Sequence, residues 1–223
     1  MLRTLLVEGE RAQSLGEEIA NSVSHGLGLL AAIAATPFLL INVARGGDTA
    51  VLVGTAVFSA TVILLYTAST LFHALAPNRA KRLFRLFDHG AIFLLIAGTY
   101  TPLTLGVLRG AWGWVILSVV WVLALVGMFL KVFETVRHPK LSMTLYLLMG
   151  WLILVAIKPL WARLPADGWT WLVAGGVSYT LGIVFAVFDR VRYGHFVWHL
   201  FVLAGTFCHG IMIWRHAGAA HLP

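Results

Sequence analysis

The sequence is poor in charged residues and in cysteine. Only 11% of its 223 residues are Asp, Glu, Lys or Arg, whereas 60% are hydrophobic. A soluble domain of this size must cover its outside with polar groups, so the composition excludes one and indicates a chain covered by lipid. The single cysteine, Cys208, excludes a disulfide-stapled fold, and the 22 glycines and 7 prolines lack the period of a collagenous chain.

The positive charge of the chain does not indicate a nucleic-acid partner. The formal net charge is +7 at pH 7, but the alternating basic and aromatic residues typical of nucleic-acid binding are missing. The N-terminal segment has neither a continuous apolar stretch nor a small-residue cleavage site, so no signal peptide is expected.

Seven apolar segments are long enough to cross a bilayer, which takes about 20 residues of helix. Lipid offers no hydrogen-bond partners, so runs this long and continuous predict helices rather than barrel strands. The predicted fold class is an all-α integral membrane bundle of seven transmembrane helices. We expect three parts: a short N-terminal segment over residues 1–17, one membrane domain over 18–215 and a short C-terminal tail over 216–223. The segments are 18–43, 51–75, 86–108, 111–133, 141–162, 168–188 and 194–215, with the longest connection at 76–85.

The Lys and Arg residues that flank these segments predict the orientation of the bundle. Eleven of the sixteen fall on the side of the N-terminus and five on the opposite side. Since positive charge is retained on the cytoplasmic side, we expect a cytoplasmic N-terminus, a C-terminus outside and a multi-pass protein of the plasma (inner) membrane. The eleven are Arg3, Arg11, Arg79, Lys81, Arg82, Arg85, Lys131, Arg137, Lys140, Arg190 and Arg192.

Five ionisable residues within the predicted helices fall at one depth, near the inner leaflet. They are His25, His73, Asp88, His195 and His199. Ionisable side chains are costly in lipid, so each of them is a functional candidate.

Three of these histidines form a candidate metal site. His195 and His199 are four residues apart and therefore lie on one face of a helix, where two imidazoles can bind one ion. Zinc prefers such ligands, and a catalytic zinc site takes three protein ligands and leaves a fourth position for water. We predict His73 as the third ligand. Ser69, one turn from His73, is expected to hydrogen-bond either its ring or a bound water.

Asp88 is the predicted partner of the water. We expect its carboxylate to accept a hydrogen bond from the zinc-bound water and to take a proton from that water. These are the groups that a metal-dependent hydrolase needs. Two alternatives stand beside this role: an ion pair with Arg82 or Arg85, or a favourable charge at the start of the third helix.

The remaining polar residues have simpler interpretations. His25 either supports a ligand or makes a structural hydrogen bond, and His89 is expected at the interface. His209 lies roughly 15 Å along the helix from His199, so it is expected to bond a neighbouring helix or to line a pore. A kink at Pro102 is expected to widen a cavity beside the site. His138, His216 and His221 are expected to be solvated.

The motifs together resemble those of the progestin and adiponectin receptor superfamily. Ser69-x-x-x-His73, Asp88 and His195-x-x-x-His199 are similar to its three signature motifs, and Glu18-x-x-Asn21-x-x-Ser24-His25-x-x-Gly28 is similar to its first helix. Short loops resemble its bacterial branch, the hemolysin III proteins. The resemblance covers residues 17–215.

This resemblance implies zinc held by His73, His195 and His199, with Asp88 and Ser69 in supporting roles. Because the superfamily is similar to alkaline ceramidases, it implies zinc-assisted hydrolysis of a lipid amide or ester whose acyl chain lies between helices, with a part in membrane lipid homeostasis. Two other functions stay open: a sensor or receptor with a structural metal, and a pore-forming cytolysin. The clustering of ionisable groups at one depth argues against the pore. The sequence does not define the oligomeric state.

Overall fold

A computed structural model of the chain describes residues 11–133, 139–187 and 191–217. Within those ranges the chain forms seven spans long and apolar enough to cross a membrane, and it forms no strand. The predicted class, an all-α bundle of seven helical spans, is confirmed. Six spans are single helices: Leu15–Ala44 (α1), Thr49–Ala74 (α2), Arg79–Leu105 (α3), Ala111–Val132 (α4), Ala166–Val187 (α7) and Gly194–His216 (α8).

The fifth span is interrupted, although the sequence predicts one helix over 141–162. It consists of Pro139–Gly150 (α5), a 3-10 helix over Trp151–Ala156 and Ile157–Arg163 (α6). Pro159 has no N–H to donate to the carbonyl four residues earlier, and its ring crowds that carbonyl. The regular α-helical ladder is therefore lost in the turn that precedes it.

The hydroxyl of Tyr100 on α3 compensates for this interruption. It lies 2.9 Å from the carbonyl oxygen of Met149 and 2.8 Å from that of Gly150, and it accepts the backbone N–H of Ile153 at 2.9 Å. Buried backbone groups without partners are costly in lipid. One side chain thus stabilises the break in the fifth span.

The third helix begins seven residues earlier than the sequence predicts. Asn78 caps it, since its side-chain oxygen accepts the backbone N–H of Lys81 at 2.8 Å. The loop predicted over 76–85 is therefore confined to residues 75–78, and its basic residues occupy the first turns of α3. Asp88 does not open the helix but lies nine residues, about 14 Å, beyond its start. We call the end of the bundle where α2 ends and α3 begins the basic end.

A capping box and a long-range contact fix the first helix at the basic end. Ser14 and Glu17 exchange hydrogen bonds, with the Glu17 carboxylate accepting the Ser14 backbone N–H at 2.9 Å. This carboxylate also binds Arg11 and accepts the backbone N–H of Tyr193 at 2.9 Å. Tyr193 precedes α8 and has a φ of 59°, in the left-handed region that is unfavourable for residues other than glycine. Glu17 therefore holds the start of α8 against α1.

Neighbouring helices pack side by side, and α1 closes against α8. The backbones of α2 and α3 approach closely, since a Cβ added at Gly54 would lie 2.8 Å from the Cα of Pro102. Pro102 lies fourteen residues beyond Asp88, near the end of α3. Pro102 packs against the backbone of α2 and does not itself line the cavity beside the site, so a widening of that cavity by its kink stays a prediction.

Candidate metal centre

Three histidine rings converge at the basic end among α1, α2 and α8, with His73 and His199 buried and His195 half-buried. A nitrogen of His73, one of His195 and one of His199 all lie within 4.8 Å of one another. The ring centroids are 4.6 Å apart for His195 and His199, 5.1 Å for His73 and His195, and 5.2 Å for His73 and His199. The structure thus brings together the three residues that the sequence proposes as ligands.

The secondary structure explains how these rings meet. His195 and His199 lie one turn apart in the first turns of α8, where Glu17 anchors the chain. His73 is in the last turn of α2, which ends at the same end of the bundle. The helices α2 and α8 are far apart in the sequence. The cluster therefore depends on α1, which packs against both of them.

The hydrogen bonds of His199 define which ring nitrogen is available. Its Nδ1 lies 3.2 Å from the carbonyl oxygen of Asn21 and 3.0 Å from the hydroxyl of Ser24. The Ser24 hydroxyl donates its proton to the same carbonyl at 2.8 Å, so Nδ1 must carry a proton and donate it. This tautomer leaves Nε2 of His199 with a lone pair.

The orientation of His73 follows the same logic. Its Nδ1 lies 2.7 Å from Oε2 of Glu18, and the carboxylate accepts the Nδ1 proton. Nε2 of His73 is buried and has no hydrogen-bond partner, and the same holds for Nε2 of His195. A histidine that donates one N–H to a carboxylate or carbonyl and presents the other nitrogen unpaired is the usual form of a metal ligand.

These features fit a metal ion bound by three imidazoles. At a zinc–nitrogen distance of about 2.0–2.1 Å, two ligand nitrogens are at most about 4.2 Å apart. Ring shifts of less than about 1 Å close the observed cluster around an ion of this size. The group of His73, His195 and His199 can therefore hold a metal ion, and imidazole ligands suit several divalent metals.

Asp88 and Ser69 lie beside the cluster. Asp88 is 5% exposed, Ser69 is fully buried, and the two side chains are neighbours of each other and of His73. The Ser69 hydroxyl has no hydrogen-bond partner. It does not bond the His73 ring, whose Nδ1 is occupied by Glu18, and the other expected partner, a bound water, stays a prediction. The role of Asp88 in handling a proton stays a prediction.

An internal cavity of about 110 Å³ adjoins the centre. Asp88, His195 and His199 line one end of it and His209 the other, with largely apolar side chains between them. Its walls come from α3, the interrupted fifth span, α7 and α8. Apolar walls beside a cluster of ionisable groups suit part of an amphiphile, such as the portion of a lipid chain next to its polar group.

Two further histidines line the same cavity. His25 is 2% exposed and stacks on the ring of His199. His89 lies on the cavity wall rather than at the expected interface, with Nε2 3.9 Å from the Asp88 carboxylate. The backbone carbonyl of His89 accepts the hydroxyl of Tyr146 at 2.6 Å.

Two more histidines, His209 and His216, lie toward the end of the bundle opposite the basic end. His209 bonds the carbonyl of Leu172 on α7 at 3.2 Å, so the expected interhelical hydrogen bond is confirmed. The expectation of a solvated His216 is wrong, because it is 8% exposed and pairs with Asp167 at 2.9 Å. His138 and His221 lie outside the described residues.

Glu18 is the site residue whose contact sequence reasoning did not identify. It stands 55 positions before His73, and an acidic residue in the first turn of a helix is ordinarily explained by the helix dipole. The spacing of Glu18, Asn21 and Ser24 was the available signal, since residues three apart share one helix face.

The fold and the cluster together define a multi-pass membrane protein with a buried three-histidine group able to hold a metal ion. The chain belongs to the family described as Haemolysin-III related, whose model matches residues 13–210. It is 43% identical over 194 residues to Hemolysin-3 of Bacillus cereus, covering 87% of this chain and 89% of that protein. It is 42% identical over 193 residues to the Hemolysin-3 homolog of Bacillus subtilis (strain 168), covering 86% of this chain and 91% of that protein.

A more distant similarity extends to animals. The chain is 27% identical over 162 residues to the monocyte to macrophage differentiation factor of Homo sapiens, which covers 68% of this chain and 65% of that protein.

Proposed function

We propose that this protein is a zinc-dependent hydrolase of lipid amides or esters that acts in membrane lipid homeostasis. The observation that carries the proposal is the meeting of three imidazole nitrogens able to bind one ion with a buried carboxylate at one end of a largely apolar cavity. We further propose that it resides in the plasma (inner) membrane with its N-terminus, and so the basic end, at the cytoplasm.

Each group of the chain has a defined task in this reaction. His73, His195 and His199 would hold zinc, which when bound supplies Lewis acidity and activates water as a nucleophile at neutral pH. The Asp88 carboxylate takes a proton from the attacking water and returns it to the leaving group. The Ser69 hydroxyl, which is buried beside Asp88, would hydrogen-bond a bound water.

The cavity accounts for a lipid substrate. Its apolar walls bind the acyl chain, while the scissile amide or ester lies at the end lined by Asp88, His195 and His199. Burial of this end excludes bulk water and so strengthens every electrostatic interaction with the reacting group. We expect membrane lipids, and no nucleic acid, as partners.

The test begins with the metal content of purified, detergent-solubilised protein, measured by plasma mass spectrometry. We expect near-stoichiometric zinc in the wild type and none in the variant His195→Ala/His199→Ala. Hydrolysis of a ceramide and of a phospholipid ester is then followed with the zinc-loaded protein. Asp88→Asn should retain zinc and lose turnover, whereas Asp167→Asn at the opposite end of the bundle should retain both. Wild-type turnover in Asp88→Asn contradicts the role of Asp88.

Two other functions are separated by the same preparations. Zinc without any lipid product, together with a large loss of thermal stability in His73→Ala, favours a structural metal in a sensor or receptor. The relatives' name, Hemolysin-3, points to cytolysis. Leakage of dye from liposomes that contain the wild-type protein, undiminished in the metal-free double variant, favours a pore.

A further inference from the structure

The motif on α1 supplies none of the three candidate ligands, yet its members lie directly against them. Glu18 accepts the Nδ1 proton of His73, and Asn21 and Ser24 bind Nδ1 of His199. These three positions recur every third residue and so face one side of α1. The first helix therefore fixes the orientation of ligands that belong to α2 and α8.

We propose that Glu18, held in place by Lys81, is a positioning residue of the metal centre. Glu18 fixes the His73 ring with its Nε2 lone pair directed at the ion, and Lys81 fixes Glu18. The inference rests on the metal binding assumed in the proposed function and does not depend on hydrolysis.

The two carboxylate oxygens of Glu18 are each engaged. Oε2 lies 2.7 Å from Nδ1 of His73, and Oε1 lies 2.9 Å from Nζ of Lys81. Rotation of the carboxylate out of this position therefore breaks both contacts at once. A ligand imidazole bonded to a carboxylate held in this way keeps one tautomer and one ring orientation, which is what metal binding needs.

The burial of the three side chains makes this contact stronger than a surface ion pair. The exposed fractions of the side chains are 1% for His73, 14% for Lys81 and 22% for Glu18. Hydrogen bonds to charged groups gain strength where water is scarce. The Glu18 carboxylate therefore has a defined geometry rather than a solvated one.

Lys81 is itself held at two points. Its ammonium group lies 5.0 Å from the ring centroid of Phe72 and bonds Glu18, so it contacts both α2 and α1 from its place on α3. The ring of Phe72 lies 4.5 Å from that of His73. Three helices thus meet around one ligand, and the charge of Lys81 balances that of the carboxylate.

The experiment measures zinc affinity of the full-length protein in detergent by competition with a chromophoric chelator. Glu18→Gln keeps the shape of the side chain but has one acceptor oxygen for two donors, so either His73 or Lys81 loses its hydrogen bond and the His73 ring is held less firmly. We expect affinity to fall by about 10- to 100-fold. Cobalt-loaded protein should show a changed visible spectrum, which reports ligand geometry.

Asp48→Asn is the matched control. Asp48 is also a paired carboxylate at the start of a helix, but it caps α2 and binds Arg109 at the end of the bundle opposite the three histidines. We expect zinc affinity to change by less than about threefold. An equal loss of affinity in both variants overturns the proposal, because it shows a general effect of replacing a paired carboxylate.

A double-mutant cycle tests the part of Lys81. Lys81→Met should weaken zinc binding in the wild type and should have no further effect when Glu18→Gln is already present. An undiminished effect of Lys81→Met in that background overturns the proposal. Should Glu18→Gln fail to fold, Lys81→Met alone decides, since unchanged affinity there also overturns it.

The remaining outcomes distinguish this inference from the proposed function. Zinc affinity that depends on Glu18, in a protein that hydrolyses no lipid, supports the inference and removes the hydrolase. Unchanged zinc affinity in folded Glu18→Gln overturns the inference and leaves the hydrolase standing. A wild-type protein that binds no zinc overturns both.

Discussion

The imidazole rings of His25 and His199 lie face to face, with centroids 3.7 Å apart and planes inclined by 1°. A metal bound by an imidazole nitrogen lies near the plane of that ring, because the lone pair lies in the plane. The face of the His25 ring, rather than a lone pair, is therefore turned to His199. His25 packs against a candidate ligand, and both of its nitrogens are buried without a hydrogen-bond partner, so it does not make the structural hydrogen bond that was one of its two expected roles.

Replacement of His25 by Phe is therefore expected to leave the metal in place. Phe preserves the stacked ring, and both nitrogens of His25 are buried without a hydrogen-bond partner, so little is lost with them. Zinc content should be that of the wild type, and the melting temperature should be equal or higher. His199→Phe is the control and should lose the metal. Loss of zinc from His25→Phe would show that His25 is a ligand.

Removal of the metal is expected to lower the thermal stability of the bundle. An ion that binds only the folded state stabilises it by about 4 kcal/mol at a thousand times its dissociation constant. Chelation should lower the melting temperature of detergent-solubilised protein, and added zinc should restore it. His73→Ala should respond to neither. Identical melting curves with and without zinc in the wild type would contradict a metal that joins α2 to α8.

The interrupted fifth span is expected to depend on the hydroxyl of Tyr100. Tyr100→Phe removes a partner of the Met149 and Gly150 carbonyls and of the Ile153 N–H. Buried groups left without partners cost about 1–3 kcal/mol. Less denaturing detergent should therefore be needed to unfold the variant in mixed micelles. Tyr193→Phe, at a partly exposed side chain, serves as the comparison and should change little. Equal unfolding midpoints would mean that the break is stabilised by other contacts.

The contact between α2 and α3 gives a prediction with a matched pair of glycines. A Cβ at Gly54 would meet the backbone of Pro102 at 2.8 Å, whereas a Cβ at Gly210 has no neighbour within 4 Å. Gly54→Ala should destabilise the protein by about 1–3 kcal/mol. Gly210→Ala should be neutral or stabilising by up to about 1 kcal/mol, because alanine favours the helix. Reversed effects would contradict the close packing of these two helices.

The sequence was sufficient for the number and type of the spans because lipid imposes a length and an apolar character on each of them. Helix ends were less predictable, since they depend on caps. Asn78 starts α3 well before the hydrophobic run that marks it in the sequence, through a single hydrogen bond to Lys81. The interruption at Trp151–Ala156 has a local cause, Pro159, but its partner Tyr100 is distant in sequence.

The candidate ligands were predictable because His195 and His199 repeat at the helical period and His73 falls at the same depth. Glu18 was not, since its contact with His73 depends on how α1 packs against α2. The environment of His216 could not be predicted either. Its position near the end of the chain suggests solvent, whereas the packing of α8 on α7 brings it to Asp167.

The three histidines of the candidate metal site lie on the second and the seventh of the described spans, and this has a consequence for biogenesis. A nascent chain inserted as far as α7 carries only His73, and one imidazole cannot retain an ion against competing cellular ligands. The centre forms only when α8 enters the membrane and docks on α1. Metal bound there would then mark a chain inserted through α8, and a copy without a docked α8 would stay without it.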